Sequence, residues 1–334
     1  MSLFSYNSPV KLEMGGTLDK VEIVYKTYGK LNQNKSNVVW ICHALTANAD
    51  AAIWWKGMIG LGCFLNPDKY FIVCANILGS CYGTTGPRSL DPKTGQPYGL
   101  DFPAFTIRDS VYLHELLAKH LKITSIFMLL GGSCGGSQAI EMSLNQAFNV
   151  ENLLLIACGS RETEWNIAVH ESQRMALEAD ESLTGNADDS GERGLKAARA
   201  IGILSYRTDT AFHETQRNDD DRIDNHKASS YMQYQGQKLA DRFHAHNYWV
   251  LTKCLDTHNI GRGRGGIQNA LKSITASTTI IGINSDRLIP VREQKYISKH
   301  IPECSYFEIM SDYGHDGFLI ETDKITDIFT NQKI

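Results

Sequence analysis

The sequence predicts an α/β fold, with a mostly parallel, doubly wound sheet and a helical lid inserted late in the chain. Three observations support this prediction: apolar strand-like runs alternate with helical patterns, one of these runs leads into a Gly-x-Ser-x-Gly turn, and strand-like runs vanish from a long later stretch. Alternating strands and helices favour a parallel sheet, because each parallel connection needs a crossover. The 334 residues suffice for one large domain with an insertion or for two domains.

Seven apolar runs bounded by turn residues are the predicted strands. They are Val21–Tyr25, Asn37–Cys42, Tyr70–Cys74, Ile126–Leu130, Asn152–Ala157, Thr278–Ile283 and Ser305–Ile309. The segment Ser110–His120 has apolar residues at helical spacing and precedes the fourth of these strands. Strands and helices therefore alternate in the order that a doubly wound sheet requires.

The pattern changes between about residues 161 and 260. Polar, helix-forming residues dominate there, with an acidic stretch at Ala179–Glu192 and a charged stretch at Arg217–His226. We interpret this segment as a helical lid, so that residues 1–160 and 261–334 form the two parts of an α/β core and residues 161–260 the insertion. An unrelated second domain is the alternative. A lid inserted here would lie over the carboxyl ends of the strands, where parallel sheets carry their ligand sites.

Composition excludes several classes of protein. Hydrophobic residues make up 42% and charged residues 21%, and the net charge of -4 argues against binding of nucleic acid. No apolar run reaches the length needed to span a membrane, and the N-terminus lacks the features of a signal peptide. The eight cysteines are scattered without a Cys-x-x-Cys pair, which argues against a zinc ribbon. We expect a cytoplasmic protein without a metal site, since unpaired cysteines suit a reducing compartment.

Residues Gly131–Gly136 form the most informative segment. An apolar strand runs into Gly-x-Ser-x-Gly and then into a helix-prone segment, as in a nucleophile elbow. Ser133 would stand at the apex of this turn, and the positions two before and two after it must be small. The alternatives are a glycine-rich turn without catalytic function, or Ser137 as the nucleophile one helical turn further on.

A serine nucleophile needs a positioned base, and after an elbow the acid and then the histidine follow in chain order. Asp286 comes just after the sixth predicted strand and His315 just after the seventh. We expect Asp286 to orient His315, which would take the serine proton and later return it. Asp312 and Asp316 are alternative acids, although both lie very close to His315 in sequence. Asp286 could instead cap a helix.

Two backbone N–H groups are candidates for the oxyanion hole. Cys134 directly follows the nucleophile, and Leu45 lies in the loop after an early strand. His43, which begins that loop, precedes the serine in sequence. We therefore expect His43 to bond the loop backbone rather than to act as the base.

Several motifs outside the predicted triad match one family, and within them the run Gly79–Pro87 is highly specific, because a generic hydrolase does not require it. They are Tyr25–Asn32, His43–Thr46, Asn76–Pro87, Gly95–Gly99, Phe102-Pro103, Arg108-Asp109, Gly194-Leu195, Ala198-Arg199, Tyr206-Arg207 and Gly261–Gly266. With the elbow and the acid and histidine loops, they resemble the homoserine O-acetyltransferases nearly from end to end. This family is a branch of the α/β-hydrolase fold.

The resemblance implies acyl transfer from a coenzyme A thioester to the hydroxyl of L-homoserine, a step of methionine biosynthesis, by a ping-pong mechanism. It implies acetyl-CoA as co-substrate, no tightly bound cofactor and a homodimer formed through the lid. It also implies substrate-binding roles for Arg199 and Asp316. A guanidinium binds a carboxylate bidentately, and a carboxylate binds an ammonium group, which suits an amino acid acceptor. Without the resemblance, Arg199 could be a surface residue of a helix.

Four residues depart from the usual family pattern: Ser137, Met142, His244 and His246. They leave open whether the donor is acetyl- or succinyl-CoA and whether the acceptor is homoserine or serine. An esterase or thioesterase would share the triad but would not need an amino acid clamp. A non-enzymatic interaction module is disfavoured, because such proteins typically lack one of the three triad residues.

Overall fold

The computed structural model describes residues 1–331, and its main sheet has eight strands. They are β1 Ser2–Tyr6, β2 Val21–Tyr28, β3 Val38–Cys42, β4 Phe71–Ala75, β5 Ser125–Gly132, β6 Asn149–Ile156, β7 Ser277–Ile283 and β8 Cys304–Ile309. Their order across the sheet is β1-β2-β4-β3-β5-β6-β7-β8. Strands β3 to β8 run parallel, whereas β1 and β2 pair antiparallel at one edge.

Helices cover both faces of this sheet and form a separate layer between β6 and β7. The core helices are α1 Ala51–Trp54, α2 Ile107–His120, α3 Cys134–Ser143, α9 Ile267–Lys272, α10 Val291–Ser298, α11 Gly317–Ile320 and α12 Thr322–Asn331. The other helices between β6 and β7 in the sequence, which precede α9, are α4 Glu164–Glu178, α5 Glu192–Tyr206, α6 Asp209–Gln216, α7 Lys227–Ala240 and α8 Ala245–Asp256. We call α4 to α8 the lid.

All seven predicted strands are present, with ends that differ by one to a few residues. The sequence did not indicate β1, because its half-exposed residues at the edge of the sheet lack a continuous apolar run. The predicted helix before β5 begins at Ile107 rather than Ser110. Thr106 caps it, since its side chain accepts from the N–H of Asp109 while the Asp109 carboxylate accepts from the N–H of Thr106.

The two faces of the sheet are each buried, as is typical of parallel strands. Every residue of β3 is buried, and its alternate side chains enter the two separate apolar clusters on opposite faces. Cys42 pairs with Gly131, and Gly132 pairs with Ile156, so β3, β5 and β6 end at the same edge. The loops that follow these strands therefore converge at one edge of the sheet.

Within residues 1–331, no helix has the length and apolarity to cross a membrane. The same part of the chain holds no group of three His, Cys, Asp or Glu side chains placed to bind a metal ion.

Candidate active site

Ser133 occupies a sharp turn between β5 and α3. Its φ of 55° and ψ of -127° lie in a region that residues with a side chain rarely adopt. The turn has room only for glycine at two positions. A Cβ on Gly131 would lie 2.2 Å from the carbonyl oxygen of Gly135, and a Cβ on Gly135 would lie 2.1 Å from the carbonyl oxygen of Cys42. The positions two before and two after the serine are thus restricted to glycine by backbone contact.

Three side chains form one hydrogen-bonded line at this turn. Ser133 Oγ lies 2.7 Å from Nε2 of His315, and Nδ1 of His315 lies 2.6 Å from Oδ2 of Asp286. We assign the Nδ1–H tautomer, since the carboxylate can only accept at this bond. Nε2 then carries the lone pair that accepts the hydroxyl proton of Ser133.

Asp286 is held on both of its oxygens. While Oδ2 binds the imidazole, Oδ1 accepts from the backbone N–H groups of Leu288 and Ile289, each at 2.9 Å. It does not cap a helix, because α10 begins only after Pro290. Of the alternative acids, Asp312 is exposed to solvent.

His315 is buried beside two aromatic rings, with 5.9 Å to Tyr206 and 5.4 Å to Phe318 between ring centroids. Burial lowers its pKa, but the charge and hydrogen bond of Asp286 raise it by more, with smaller contributions from Asp316 and Glu162. The net pKa of His315 lies above its ordinary value. The site is therefore arranged to stabilise the imidazolium that forms when His315 accepts a proton.

The two predicted oxyanion donors, Leu45 and Cys134, line the same cavity as Ser133. Neither N–H donates to a backbone carbonyl within the described residues. His43 supports the Leu45 loop: its Nδ1–H donates to the carbonyl of Ala44 at 2.8 Å, and Nε2 accepts from the N–H of Ile77 at 3.0 Å. Burial lowers the pKa of His43 to about 4, so this histidine is neutral and structural.

A cavity of about 460 Å³ opens between the sheet edge and the lid, and it contains Ser133 and His315 in its lining. Arg199 on α5 also lines it, with its guanidinium 5.7 Å from the ring centroid of Tyr206. Arg199 forms no ion pair with a carboxylate of residues 1–331. It is half-buried, and this combination suits a bound anion.

Asp316 lines the cavity too, but it already has a cationic partner. Arg207 donates from Nε to Oδ2 of Asp316 at 3.0 Å. Sequence reasoning identified Asp316 but missed this use of Arg207. Arg207 directly follows α5, and Asp316 lies more than a hundred residues later. No pattern of residue spacing in the sequence predicts that these two side chains meet.

One polar wall of the cavity was not predicted from the sequence. Side chains of α4, together with Glu162 just before the helix cap, form it. Glu162, Asn166 and His170 all line the cavity. Their spacing of four residues was visible in the sequence; it places Asn166 and His170 on one face of α4, whereas Glu162 lies just before the helix. Such a spacing is informative only once that face is known to be turned inward.

The four residues that depart from the usual family pattern differ in whether they line this cavity. Only Ser137 lines it, whereas Met142 is fully buried in the core. His246 is buried, with Nε2 2.6 Å from the carbonyl oxygen of Leu183 in the lid, and His244 is half-buried beside it.

Comparison with known proteins gives the same fold and the same family that the sequence motifs resemble. A family model described as α/β hydrolase fold matches residues 37–322. A curated relative from Cyclobacterium marinum, named homoserine O-acetyltransferase, is 44% identical over 97% of this chain and 92% of its own length.

Solved structures share the fold over nearly the whole chain. A homoserine O-acetyltransferase from Bacillus anthracis is 23% identical with a TM-score of 0.90, covering 98% of this chain and 96% of that one. Esterase E22 is 22% identical with the same TM-score of 0.90, covering 98% and 97%. Both likenesses establish the fold alone, whereas the sequence match to the Cyclobacterium protein extends to the family. This chain belongs to the homoserine O-acetyltransferase family within the α/β hydrolase fold.

Proposed function

We propose that this protein transfers an acetyl group from acetyl-CoA to the hydroxyl of L-homoserine, a step of methionine biosynthesis. The observation that carries the proposal is that one cavity holds both a hydrogen-bonded Ser133–His315–Asp286 line and the guanidinium of Arg199, which has no carboxylate partner within residues 1–331. The first can form an acyl-enzyme, and the second gives an amino acid acceptor a place to bind. An esterase has use for the first feature alone.

In the first half-reaction, Ser133 Oγ attacks the thioester carbonyl carbon while His315 Nε2 takes the hydroxyl proton. The carbonyl oxygen becomes an oxyanion that the N–H groups of Leu45 and Cys134 stabilise. The carbon–sulfur bond then breaks, and His315 returns the proton to the sulfur of coenzyme A. The product is free coenzyme A and Ser133 carrying the acetyl ester.

In the second half-reaction, the homoserine hydroxyl replaces coenzyme A beside His315. His315 takes the hydroxyl proton as the oxygen attacks the acetyl carbonyl, and then returns it to Ser133 Oγ as O-acetylhomoserine leaves. Arg199 binds the homoserine carboxylate through charge-assisted hydrogen bonds. Asp316, steadied by Arg207, faces the ammonium side of the acceptor.

Several finer points rest on the family alone. Acetyl rather than succinyl transfer, homoserine rather than serine as acceptor, and a homodimer formed through the lid are parts of this proposal. The predicted cytoplasmic location stays a prediction.

The proposal is tested by separating the two half-reactions. With acetyl-CoA alone, intact-mass analysis should show one acetyl adduct on the wild type and none on Ser133→Ala. Ser137→Ala, which removes the neighbouring hydroxyl, should keep the adduct. Addition of homoserine should discharge the adduct to O-acetylhomoserine much faster than water does.

Two results would overturn the proposal. If the adduct decayed at one rate with and without homoserine, the protein would be a hydrolase. If succinyl-CoA acylated Ser133 in preference to acetyl-CoA, the donor would be wrong.

A further inference from the structure

Gln138 on the nucleophile helix α3 is a buried polar residue that neither the triad nor the acceptor site explains. Its side chain is fully buried, and both polar atoms of its amide have hydrogen-bond partners. Nε2 donates to the carbonyl of His43 at 3.0 Å and to the carbonyl of Cys134 at 3.3 Å. The amide of Gln138 therefore joins the first turn of α3 to the loop that follows β3.

The orientation of this amide is set from its other side by His114 on α2. Nε2 of His114 lies 3.1 Å from Oε1 of Gln138, and burial lowers the pKa of His114 to about 4, so its ring is neutral. The carbonyl of His43 can only accept, so we assign the NH2 group of Gln138 to that side and the Nε2–H tautomer to His114. His114 thus holds the amide with its donor turned toward the loop.

The loop held in this way presents Leu45, one of the two expected oxyanion donors. The N–H of Ala47 donates to the carbonyl of Ala44 at 3.0 Å, which closes a β-turn with Leu45 at its first central position. His43 directly precedes this turn, and its side chain also bonds the carbonyl of Ala44. Any displacement of the His43 carbonyl would therefore move the turn and the N–H of Leu45 with it.

The two expected oxyanion donors belong to different segments, since Cys134 begins α3 and Leu45 lies in the loop after β3. An oxyanion hole works only when both N–H groups lie about 2.7–3.1 Å from the same oxygen. Gln138 is hydrogen-bonded to both segments, within its own helical turn and at the start of the loop.

We propose that Gln138 is a positioning residue, which sets the N–H of Leu45 relative to the N–H of Cys134 so that both bind the oxyanion. Gln138 itself touches neither substrate nor the reacting atoms. This inference rests on the proposed function, in which these two N–H groups stabilise the oxyanion of each half-reaction.

The first test is Gln138→Met, which keeps the length of the side chain but removes its donor. Leu45 would be displaced rather than removed, so we expect a loss of about ten- to a hundredfold, below the roughly 10²–10³-fold typical of deleting an oxyanion donor. Both half-reactions form an oxyanion at the same place. The burst of coenzyme A with acetyl-CoA, and the discharge of the acetyl adduct by homoserine, should therefore slow by similar factors.

A ketone analogue of the donor separates positioning from a general loss of structure. In trifluoroacetonyl-coenzyme A, a methylene group stands between the carbonyl carbon and the sulfur, so no thiolate can leave. Ser133 Oγ adds to the ketone carbon, His315 takes the proton, and the ketone oxygen becomes an oxyanion. In Gln138→Met, affinity for this analogue should weaken by about the factor by which acylation slows, whereas affinity for free coenzyme A should stay at the wild-type value.

Gln294→Met is the matched control, because Gln294 is also fully buried and its Nε2 donates to a backbone carbonyl, that of Cys158, at 2.7 Å. Gln294 lies on α10, and its carbonyl partner follows β6 rather than β3. The control should lower the thermal unfolding midpoint about as much as Gln138→Met does, but it should leave the burst rate and the affinity for the analogue unchanged.

Gln138→Asn is the second variant, and it carries the test if the methionine variant does not fold. It keeps the amide but draws it back by one carbon, away from the carbonyl of His43. The same selective loss of acylation rate and of affinity for the analogue is expected.

Wild-type acylation and wild-type affinity for the analogue in folded Gln138→Met would overturn the inference and leave Gln138 as a packing residue. Equal losses of affinity for the analogue and for free coenzyme A would also overturn it, because the whole donor site would then be distorted. Equal slowing in Gln294→Met would do the same, since the loss of any buried amide would suffice. If homoserine failed to discharge the wild-type adduct, the proposed function would be wrong, while the acylation and analogue measurements would still decide the role of Gln138.

Discussion

The two walls of the cavity differ in how their polar atoms are satisfied. On the sheet side, Ser133, His315 and Asp286 are joined by short hydrogen bonds, and the remaining oxygen of Asp286 is held by two backbone N–H groups. On the lid side, several buried polar atoms lack hydrogen-bond partners among the described residues, including Arg174 Nη1, the hydroxyl of Tyr248 and, in the cavity lining itself, Asn166 Oδ1.

This difference assigns catalysis to the sheet side and binding of the acceptor to the lid side. A site whose donors and acceptors are already placed needs no reorganisation when charge develops, which is what catalysis requires. On the lid wall, Asn166 Oδ1 has no donor and Arg199 has no carboxylate partner among residues 1–331, so both gain these bonds only when a ligand or water arrives. We therefore expect substitutions on the sheet side to affect both half-reactions, and substitutions on the lid side to affect acceptor use alone.

The largest effect is expected for Asp286→Asn. The amide would donate where the carboxylate accepts and would hold His315 in the wrong tautomer, so both half-reactions should slow by roughly 10⁴-fold. The measurement is the coenzyme A burst with acetyl-CoA alone, followed by discharge with homoserine. The isosteric side chain should keep the thermal unfolding midpoint near that of the wild type.

Asp312→Asn provides the matched control, because Asp312 lies in the histidine loop but is exposed. It should retain nearly full activity. Near-normal rates in Asp286→Asn would instead transfer the role of the acid to another carboxylate.

A smaller and more selective effect is expected for Arg199→Ala. Loss of one partner of a desolvated charge pair typically costs about 2–5 kcal/mol, so transfer to homoserine should fall by tens- to thousands-fold. Acylation of Ser133 should persist, since the donor does not need this guanidinium. The acyl-enzyme should then be consumed mainly by water, which intact-mass analysis over time would record.

Arg193→Ala removes an exposed arginine from the same helix and should change neither step. Equal loss of acylation and transfer in folded Arg199→Ala would contradict the division between the two walls. Arg199 would then be a donor-binding or structural residue.

The same division explains what could be predicted from the sequence. The sheet and the elbow obey local rules: apolar runs form strands, Gly131 and Gly135 permit the turn, and the acid and histidine follow the next strands in a fixed order. The residues of the triad are therefore visible as positions after strands, although they lie far apart along the chain.

The lid obeys no such rule. Its helices could be predicted from polar, helix-forming composition, but the direction in which each face points depends on packing against the sheet edge. The pairing of Arg207 with Asp316 and the inward orientation of Glu162 and His170 are long-range results of that packing. Arg199 was identified through family resemblance, because a lone arginine on a helix carries no local signal.

The smallest expected effect concerns pH and the sheet side alone. The net pKa of His315 is raised, and the histidine must be neutral to accept the proton of Ser133. The rate of acylation should therefore fall as the pH drops through this raised pKa, with a midpoint above the ordinary histidine value of about 6.5. The measurement is kcat/KM for acetyl-CoA, taken from the burst phase between mildly acidic and mildly alkaline pH.

Asp316→Asn sharpens this prediction, because the Asp316 carboxylate is one of the charges that raise the pKa of His315. Its removal should make His315 less basic and move the acidic limb of acylation to lower pH, while the plateau at higher pH changes little. Asp312→Asn should leave the limb in place. A midpoint of the wild-type limb below the ordinary histidine pKa would contradict this prediction. It would mean that burial lowers the pKa of His315 by more than Asp286 raises it, so that the site would not favour the imidazolium.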